Sequence, residues 1–277
     1  MAPSIRDPVA YARRVTWEWD ATLYAGSAPH YVRGRLPYPA ALGTAFAAEL
    51  GLDGSGRLLD VGCGPGSLTV VLAPYFAEAV GLDADADMLR EAARRGPGNC
   101  RWVHRRAEEL PAGLGEFRLV TFAQSFHWLD RPRVAAAARG MLAPGGVLAH
   151  VHATTHEGAE GSVPRAEITE LIRKYLGPVR RAGRGSLPEG TAGGEAEIYR
   201  AAGFTGPRRF EVPGRAVTRT ADEVVASVFS LSSAAPHLFG DRLPEFEAEL
   251  RQLLRGPFTE RFREIAVDVW SPVTRGC

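Results

Sequence analysis

Residues 57 to 66 read Arg57-Leu58-Leu59-Asp60-Val61-Gly62-Cys63-Gly64-Pro65-Gly66, a short apolar run that carries one acid and then three glycines at alternate positions. A second run, Ala79-Val80-Gly81-Leu82-Asp83, follows after one helix-length segment and also ends in an acid. Two such runs joined by a helix describe a βαβ unit whose ligand lies at the carboxyl edge of a parallel sheet. Glycine at the exit of the first strand lets the backbone turn sharply and approach a ligand closely, because it has no Cβ. Asp83 stands where a carboxylate accepts both hydroxyls of a ribose. The layout predicts a site for an adenosine-type cofactor.

The spacing narrows the choice of cofactor. A dinucleotide fingerprint is G-x-G-x-x-G, with the last glycine admitting close helix packing beside a pyrophosphate. Here Gly62, Gly64 and Gly66 form G-x-G-x-G, and Ser67 stands where the dinucleotide pattern wants glycine. Asp60 brings negative charge to the loop, which suits an amino-acid ammonium and a sulfonium better than a pyrophosphate. A hydride-transferring dehydrogenase is disfavoured on both counts. The stretch Leu58 to Asp83 resembles motifs I and II of the class I S-adenosylmethionine-dependent methyltransferases. That resemblance implies S-adenosyl-L-methionine as cofactor and a Rossmann-like α/β fold, with a seven-stranded sheet and helices on both faces.

Periodicity supports the same architecture. Strand signals fall at Arg57–Val61, Ala79–Asp83, Cys100–His104, Arg118–Ala123, Gly146–His152, Arg208–Val212 and Ile265–Trp270. Helical segments Ser67–Phe76, Ala84–Arg95 and Arg131–Leu142, with a turn near Glu108, separate the first five, as in a parallel sheet covered on both faces. Pro144-Gly145-Gly146 is expected to stop the helix before the fifth strand. We expect one domain: an N-terminal helical cap (residues 1–50), a cofactor-binding core (51–156), a helical lid (157–262), and a last strand and tail (263–277). The cap holds aromatics Tyr11, Trp17, Trp19, Tyr24, Tyr31 and Tyr38 and a helix near Pro39–Leu50. The lid holds helices Pro164–Leu176, Glu195–Ala202, Asp222–Ser232 and Pro244–Leu254, with a glycine-rich stretch from Gly183 to Gly194. Insertions of this length usually cover a site or bind substrate.

Composition excludes several function classes. The 277 residues carry a formal charge of +1, and their arginine pairs are scattered, so no basic stripe for nucleic acid emerges. No run approaches the ~18 consecutive apolar residues of a membrane span. The three cysteines, Cys63, Cys100 and Cys277, are odd in number and not spaced for zinc, which fits a reducing compartment. The expectation is a cytoplasmic enzyme without membrane or nucleic-acid partners, acting on a small-molecule acceptor. Composition is silent on oligomeric state.

Two further segments extend the resemblance. Tyr31-Val32-Arg33-Gly34-Arg35-Leu36-Pro37-Tyr38-Pro39 and Gln124-Ser125-Phe126-His127-Trp128-Leu129-Asp130 are similar to a bacterial methyltransferase group that includes trans-aconitate methyltransferases. The likeness covers residues 28 to 155 well and the lid loosely, so it implies the cofactor more firmly than the acceptor, which is a carboxylate, a hydroxyl-bearing metabolite or a natural product. It implies contacts to cofactor from Tyr31, Arg35, Asp60, Gly62, Cys63, Gly64, Gly66, Asp83, Ala84, Met88, Ala107, Glu108, Gln124, Ser125 and Phe126. Arg35 would meet the methionyl carboxylate. Tyr31, Trp17 and Phe126 would offer ring faces to the sulfonium, although Trp17 and Trp19 fit a packed leader better. The usual acid just before the adenine-contacting alanine is here Arg106, a departure that leaves Ala107's amide and Glu108 to meet the ring.

His127 is the general-base candidate, since an imidazole titrates near neutral pH; bracing the loop is the competing role. A carboxylate acceptor needs no base, and alignment then supplies most of the rate. His152 and His156, with Phe229, Ser233 and His237 from the lid, are candidate acceptor contacts. His150, His152 and His156 follow no recognised metal-ligand spacing, and no metal is expected. The D/N/S-P-P-aromatic tetrapeptide of nucleic-acid amino-methyltransferases is absent after the fourth strand. A non-methylating cofactor-binding Rossmann protein, a cyclase or regulatory module, is the remaining alternative.

Overall fold

The structure is a computed structural model that describes residues 20–178, 181–182, 185–186 and 193–273. In chain order the strands are β1 (Arg57–Val61), β2 (Glu78–Asp83), β3 (Cys100–His104), β4 (Phe117–Ala123), β5 (Leu142–His152), β6 (Glu160–Gly161), a small hairpin of β7 (Arg181–Ala182) and β8 (Gly185–Ser186), then β9 (Phe204–Val212), β10 (Ala216–Arg219), β11 (Phe258–Arg261) and β12 (Ile265–Pro272). The expected seven-stranded sheet is present, in the order β3-β2-β1-β4-β5-β12-β9. β1 to β5 pair in parallel, and β12 inserts antiparallel between β5 and β9. The order reverses at β1, where the chain steps to β2 on one side and β4 on the other. A crevice opens at the carboxyl ends of strands at such a switch point.

Two apolar layers sandwich the sheet. On one face Leu42 and Phe46 of the helix Ala40–Leu50 lie four residues apart on a single stripe and pack with Leu68 and Leu72 against Leu58, Leu119 and Val151. On the other, Val134, Ala135 and Ala138 of the helix Arg131–Gly140 pack with Tyr199, Phe117, Phe122 and Leu148. Asp130 starts that helix by accepting the Arg133 amide. Asp85 does the same for the helix Ala86–Arg95, taking the amides of Asp87 and Met88.

Pro144 and Gly145 do not end the helix, which stops at Gly140. β5 already pairs with β4 at Leu142, and the Pro-Gly-Gly segment is an irregularity within the strand, where the register passes from Phe117↔Leu142 to Leu119↔Val147. Gly145 supplies the left-handed φ of 74° that lets the chain bulge there. The lid is not purely helical either. β6, β11 and β10 form a three-stranded sheet that sequence reading did not anticipate. They are short, and the buried positions of β11 are Phe258 and the charged Glu260, so no apolar period-two signal announces them.

The lid's helices Arg165–Leu176, Ala221–Phe229 and Leu243–Leu253 share their own apolar core, with Val224, Phe229, Phe246 and Leu250 fully buried. Beneath it lies a buried ion network. Glu260 takes Arg165 at 2.6 Å and Arg219 at 3.1 Å, and Arg219 also donates to the carbonyls of Gly34, Glu223 and His156. Trp17 and Trp19, most of the Gly183–Gly194 stretch and Cys277 lie outside the described residues. Among the described residues no helix is long and apolar enough to cross a membrane.

Candidate active site

A cleft of about 1000 Å³ opens at the carboxyl ends of β1, β2 and β4, beneath the segment Leu23–Tyr38. Its floor is the glycine loop. Gly62 (φ 68°) follows β1 directly, and a Cβ there would stand 2.5 Å from the Ser125 Cβ, so only glycine lets the β4 exit approach. Gly64 (φ 54°) is different: a Cβ on it would meet no protein atom within 4 Å. It lines the cleft, so the space it leaves is ligand space.

The Asp83 carboxylate is held in place by the main chain. Oδ2 accepts the Gly64 amide at 2.7 Å, and Oδ1 accepts the Asp85 amide at 2.8 Å. Burial pushes its pKa up to about 6 despite these donors. Each oxygen retains acceptor capacity toward the cleft. Asp60 is 1% exposed, and its oxygens receive the hydroxyls of Thr69 at 2.6 Å and Thr121 at 2.8 Å. Burial raises the Asp60 carboxyl as well, since its donors are neutral. A cation in the cleft would favour its ionised form.

One end of the cleft is aromatic and cationic. The Arg35 guanidinium stacks 4.5 Å from the Tyr31 ring centroid and is anchored by Ser230 Oγ at 2.8 Å and by the Ser230 carbonyl at 3.0 Å. Tyr24 meets both Tyr31 and Trp128 edge-on. Burial raises the Tyr24 and Tyr38 phenols well above their ordinary range, so both stay protonated. Met88 and Ala107 are also buried in the lining, and Glu108 accepts the Asp130 amide at 3.0 Å while its other oxygen lies 3.5 Å from Arg106 Nε. Gln124 holds a left-handed φ of 61°, rare for a residue with a Cβ, and its amide donates to the Val151 carbonyl. Such strain at the end of a central strand belongs with functional sites. Ser125 donates to the Val61 carbonyl at 2.6 Å. Burial and the nearby Asp83 and Asp60 raise the Cys63 thiol, which stays neutral.

Thus Tyr31, Arg35, Asp60, Gly62, Cys63, Gly64, Asp83, Ala84, Met88, Ala107, Glu108, Gln124 and Ser125 meet around one space. The other candidates do not. Gly66 faces away: its Cβ would stand 2.5 Å from Trp102, so it admits that ring and lines no cleft. Phe126 is 1% exposed and stacks 4.8 Å from Tyr199 in the core, which removes it from any sulfonium. His127 is half-buried with its ring 4.8 Å from Trp128, and it is Trp128 and Leu129 of this turn that line the cleft.

The acceptor candidates also disperse. His152 lies 3.0 Å from Asp268, which Arg209 holds with two further bonds, and its ring stacks on His150. His150 itself sits 2.8 Å from the Tyr199 hydroxyl, and burial lowers it to about 3. His156 and Ser233 meet in a separate lid cavity of about 970 Å³, where His156 contacts Arg35 at 3.2 Å from behind the cleft wall. Phe229 is a lid-core residue, 1% exposed, and His237 is exposed and bonds the Ala25 carbonyl at 3.1 Å. These side chains lie at the ends of β5 and of the helix Ala221–Phe229 or in the turns beyond them, and long-range packing decides which way such ends point. Sequence reading missed Leu23, Tyr24, Leu36, Tyr38, Ser67, Asp85, Trp128, Leu129 and Thr155 in the lining. Tyr38 and Trp128 stand within the two segments that carry the resemblance, and that signal was available. Among the described residues no group of His, Cys, Asp and Glu is placed to hold a metal.

Comparison with known proteins agrees with this geometry. Residues 58–146 match a family model described as a methyltransferase domain. Trans-aconitate 2-methyltransferase of Deinococcus radiodurans is 34% identical over 147 residues, covering 51% of this chain and 55% of that protein. An uncharacterized methyltransferase of Mycobacterium tuberculosis is 34% identical over 172 residues, 61% of this chain and 66% of that one. The chain spans about half the length of the first curated relatives it matches. Among solved structures, a proposed type II methyltransferase from Anaeromyxobacter dehalogenans superposes with a TM-score of 0.51 at 23% identity, over 85% of this chain and 97% of that one, and so shares the fold.

Proposed function

We propose that this chain, which belongs to the class I S-adenosylmethionine-dependent methyltransferases, catalyses methyl transfer to a small-molecule acceptor carrying a carboxylate or hydroxyl. The observation that carries the reading is the Asp83 carboxylate, fixed by two main-chain amides beside the open Cβ position of Gly64. That arrangement fits an adenosyl group: a diol finds two oriented acceptors, and the ligand finds room that any side chain at residue 64 would take. S-Adenosylmethionine, when bound, supplies a methyl on a sulfonium, so the acceptor's lone pair forms the new bond while the broken bond's pair stays on sulfur as a neutral thioether.

The protein's own groups orient and exclude water. Asp83 holds the ribose end, and Met88 and Ala107 enclose the adenine end. Tyr31 and Tyr24 turn aromatic edges and faces toward the sulfonium end, where a cation is favoured by ring electrons and by the buried Asp60 carboxylate. Arg35, braced by Ser230, offers a cationic partner for the methionyl carboxylate. Positioning and desolvation are thus the main contributions. Among the described residues no histidine lines the cleft, and the carboxylates of Asp60 and Asp83 are engaged by Thr69, Thr121 and main-chain amides, which favours an acceptor already ionised at neutral pH.

The test is a panel of carboxylic acids and phenols incubated with protein and S-adenosylmethionine, followed by mass spectrometry for S-adenosylhomocysteine and the methylated product. Cofactor-dependent product with at least one acid supports the reading. Tight cofactor binding with no S-adenosylhomocysteine on any acceptor would instead identify a non-methylating binding protein.

A further inference from the structure

A second cavity, of about 700 Å³, lies beside the cleft and shares with it the wall made by Leu36, Tyr38 and Thr155. The Leu36 amide donates to the Thr155 carbonyl at 2.7 Å, so this partition is a hydrogen-bonded crossing of the cap over the end of β5. Behind it the lining is mostly apolar, with Val212, Phe262 and Ile265 closing the interior. Among the described residues that line it there is no carboxylate, and the charged groups are two exposed guanidiniums, Arg215 and Arg263. Arg215 donates to the Pro37 carbonyl at 2.7 Å and so is tied to the partition. Arg263 makes no ion pair among the described residues.

We propose that this cavity, walled off from the cleft, is a separate binding site that takes an apolar carboxylic acid, its carboxylate held by Arg263 and Arg215 and its body against Phe262 and Ile265. Apolar walls stabilise a hydrocarbon body by removing it from water. Guanidinium groups at the rim, with no competing anion, select a planar carboxylate over a neutral head. Because Leu36, Tyr38 and Thr155 face both spaces, a molecule filling the cavity borders the cleft end where Tyr31 and Arg35 lie.

Calorimetry on the full chain saturated with S-adenosylhomocysteine tests this with three probes: decanoate, decanol and acetate. Decanoate should bind about tenfold tighter than decanol or acetate, the scale of one charge-assisted contact or of a buried chain. Arg263→Gln should remove that advantage over decanol, while Arg261→Gln, an exposed arginine outside the cavity, should leave it intact. Equal binding of decanoate and decanol, or equal effects of the two substitutions, overturns the proposal. A protein that binds decanoate through Arg263 but does not bind S-adenosylhomocysteine keeps the cavity's ligand and loses the methyl-transfer reading.

Discussion

The Gly64 amide donates to Asp83 Oδ2 at 2.7 Å, joining the loop after β1 to the last residue of β2. The two halves of the proposed nucleoside site are therefore one hydrogen-bonded unit before any ligand arrives, which lowers the ordering cost of binding. Asp83→Ala should weaken S-adenosylmethionine binding by about 2–3 kcal/mol, the value of lost charge-assisted bonds. Calorimetry on the folded variant checks this, and unchanged affinity would remove the ribose role.

The same residue sets a pH dependence. Its carboxyl, raised by burial to about 6, is acceptor-only when ionised and partly a donor when protonated. Ribose hydroxyls favour the ionised form, so affinity should be full above that value and fall by up to about tenfold per pH unit below it. The ligand-free fold responds in the opposite sense. A raised carboxyl contributes stability that is full below the ordinary carboxylate range and lost as pH rises through about 6. Titrations of Kd and of urea midpoint should show the opposed steps, and Asp83→Asn should lose both.

Gly64 and Gly66 should separate binding from stability. Gly64→Ala places a methyl in open cleft space at a φ of 54°, so cofactor affinity should drop far more than the denaturation midpoint. Gly66→Ala drives a methyl to 2.5 Å from Trp102 and should cost about 1–3 kcal/mol of stability by overpacking. Urea melts and calorimetry on both variants decide the matter; the reverse pattern would exchange their roles.

His127→Gln should lower turnover less than tenfold (an order-of-magnitude bound set against base catalysis), because the imidazole packs on Trp128 and does not line the cleft. Loss of a general base would cost about 10²–10⁴ and erase a step near neutral pH. A pH–rate profile of both proteins on the same acceptor distinguishes the two, and the larger loss would reinstate His127 as the base.

Glu260→Gln should destabilise the protein by about 3 kcal/mol, since Arg165 and Arg219 lose a shared partner that is 2% exposed. Urea denaturation measures it, and a change within error would mean that water reaches the network.

The parallel core was legible because β1, β2 and β4 are buried on both faces, and β1 and β2 carry residues with a chemical reason to be there. Asp60, Gly62, Gly64 and Asp83 announce themselves within one βαβ unit, where local geometry fixes which way each points. Phe126 and Gly66 sit within two residues of true lining positions yet face the core, since a single turn of backbone reverses a side chain. Tyr24 and Thr155 reach the cleft through contacts over more than a hundred residues, as in Tyr24 to Trp128 and Leu36 to Thr155. No periodicity encodes such meetings. The sheet of β6, β11 and β10 was hidden for the same reason: its strands are short and their partners distant.

Arg219 binds the carbonyl of Gly34 as well as Glu223, His156 and Glu260, and a Cβ on Gly34 would stand 2.2 Å from the Ala226 backbone. The unit of exchange in this architecture is consequently not the insertion as it appears along the chain. A graft that carries residues 157–262 into another scaffold leaves the helix Ala28–Gly34 behind, and with it the surface against which that insertion is built. Any transfer of this insertion to another scaffold has to move the two segments together.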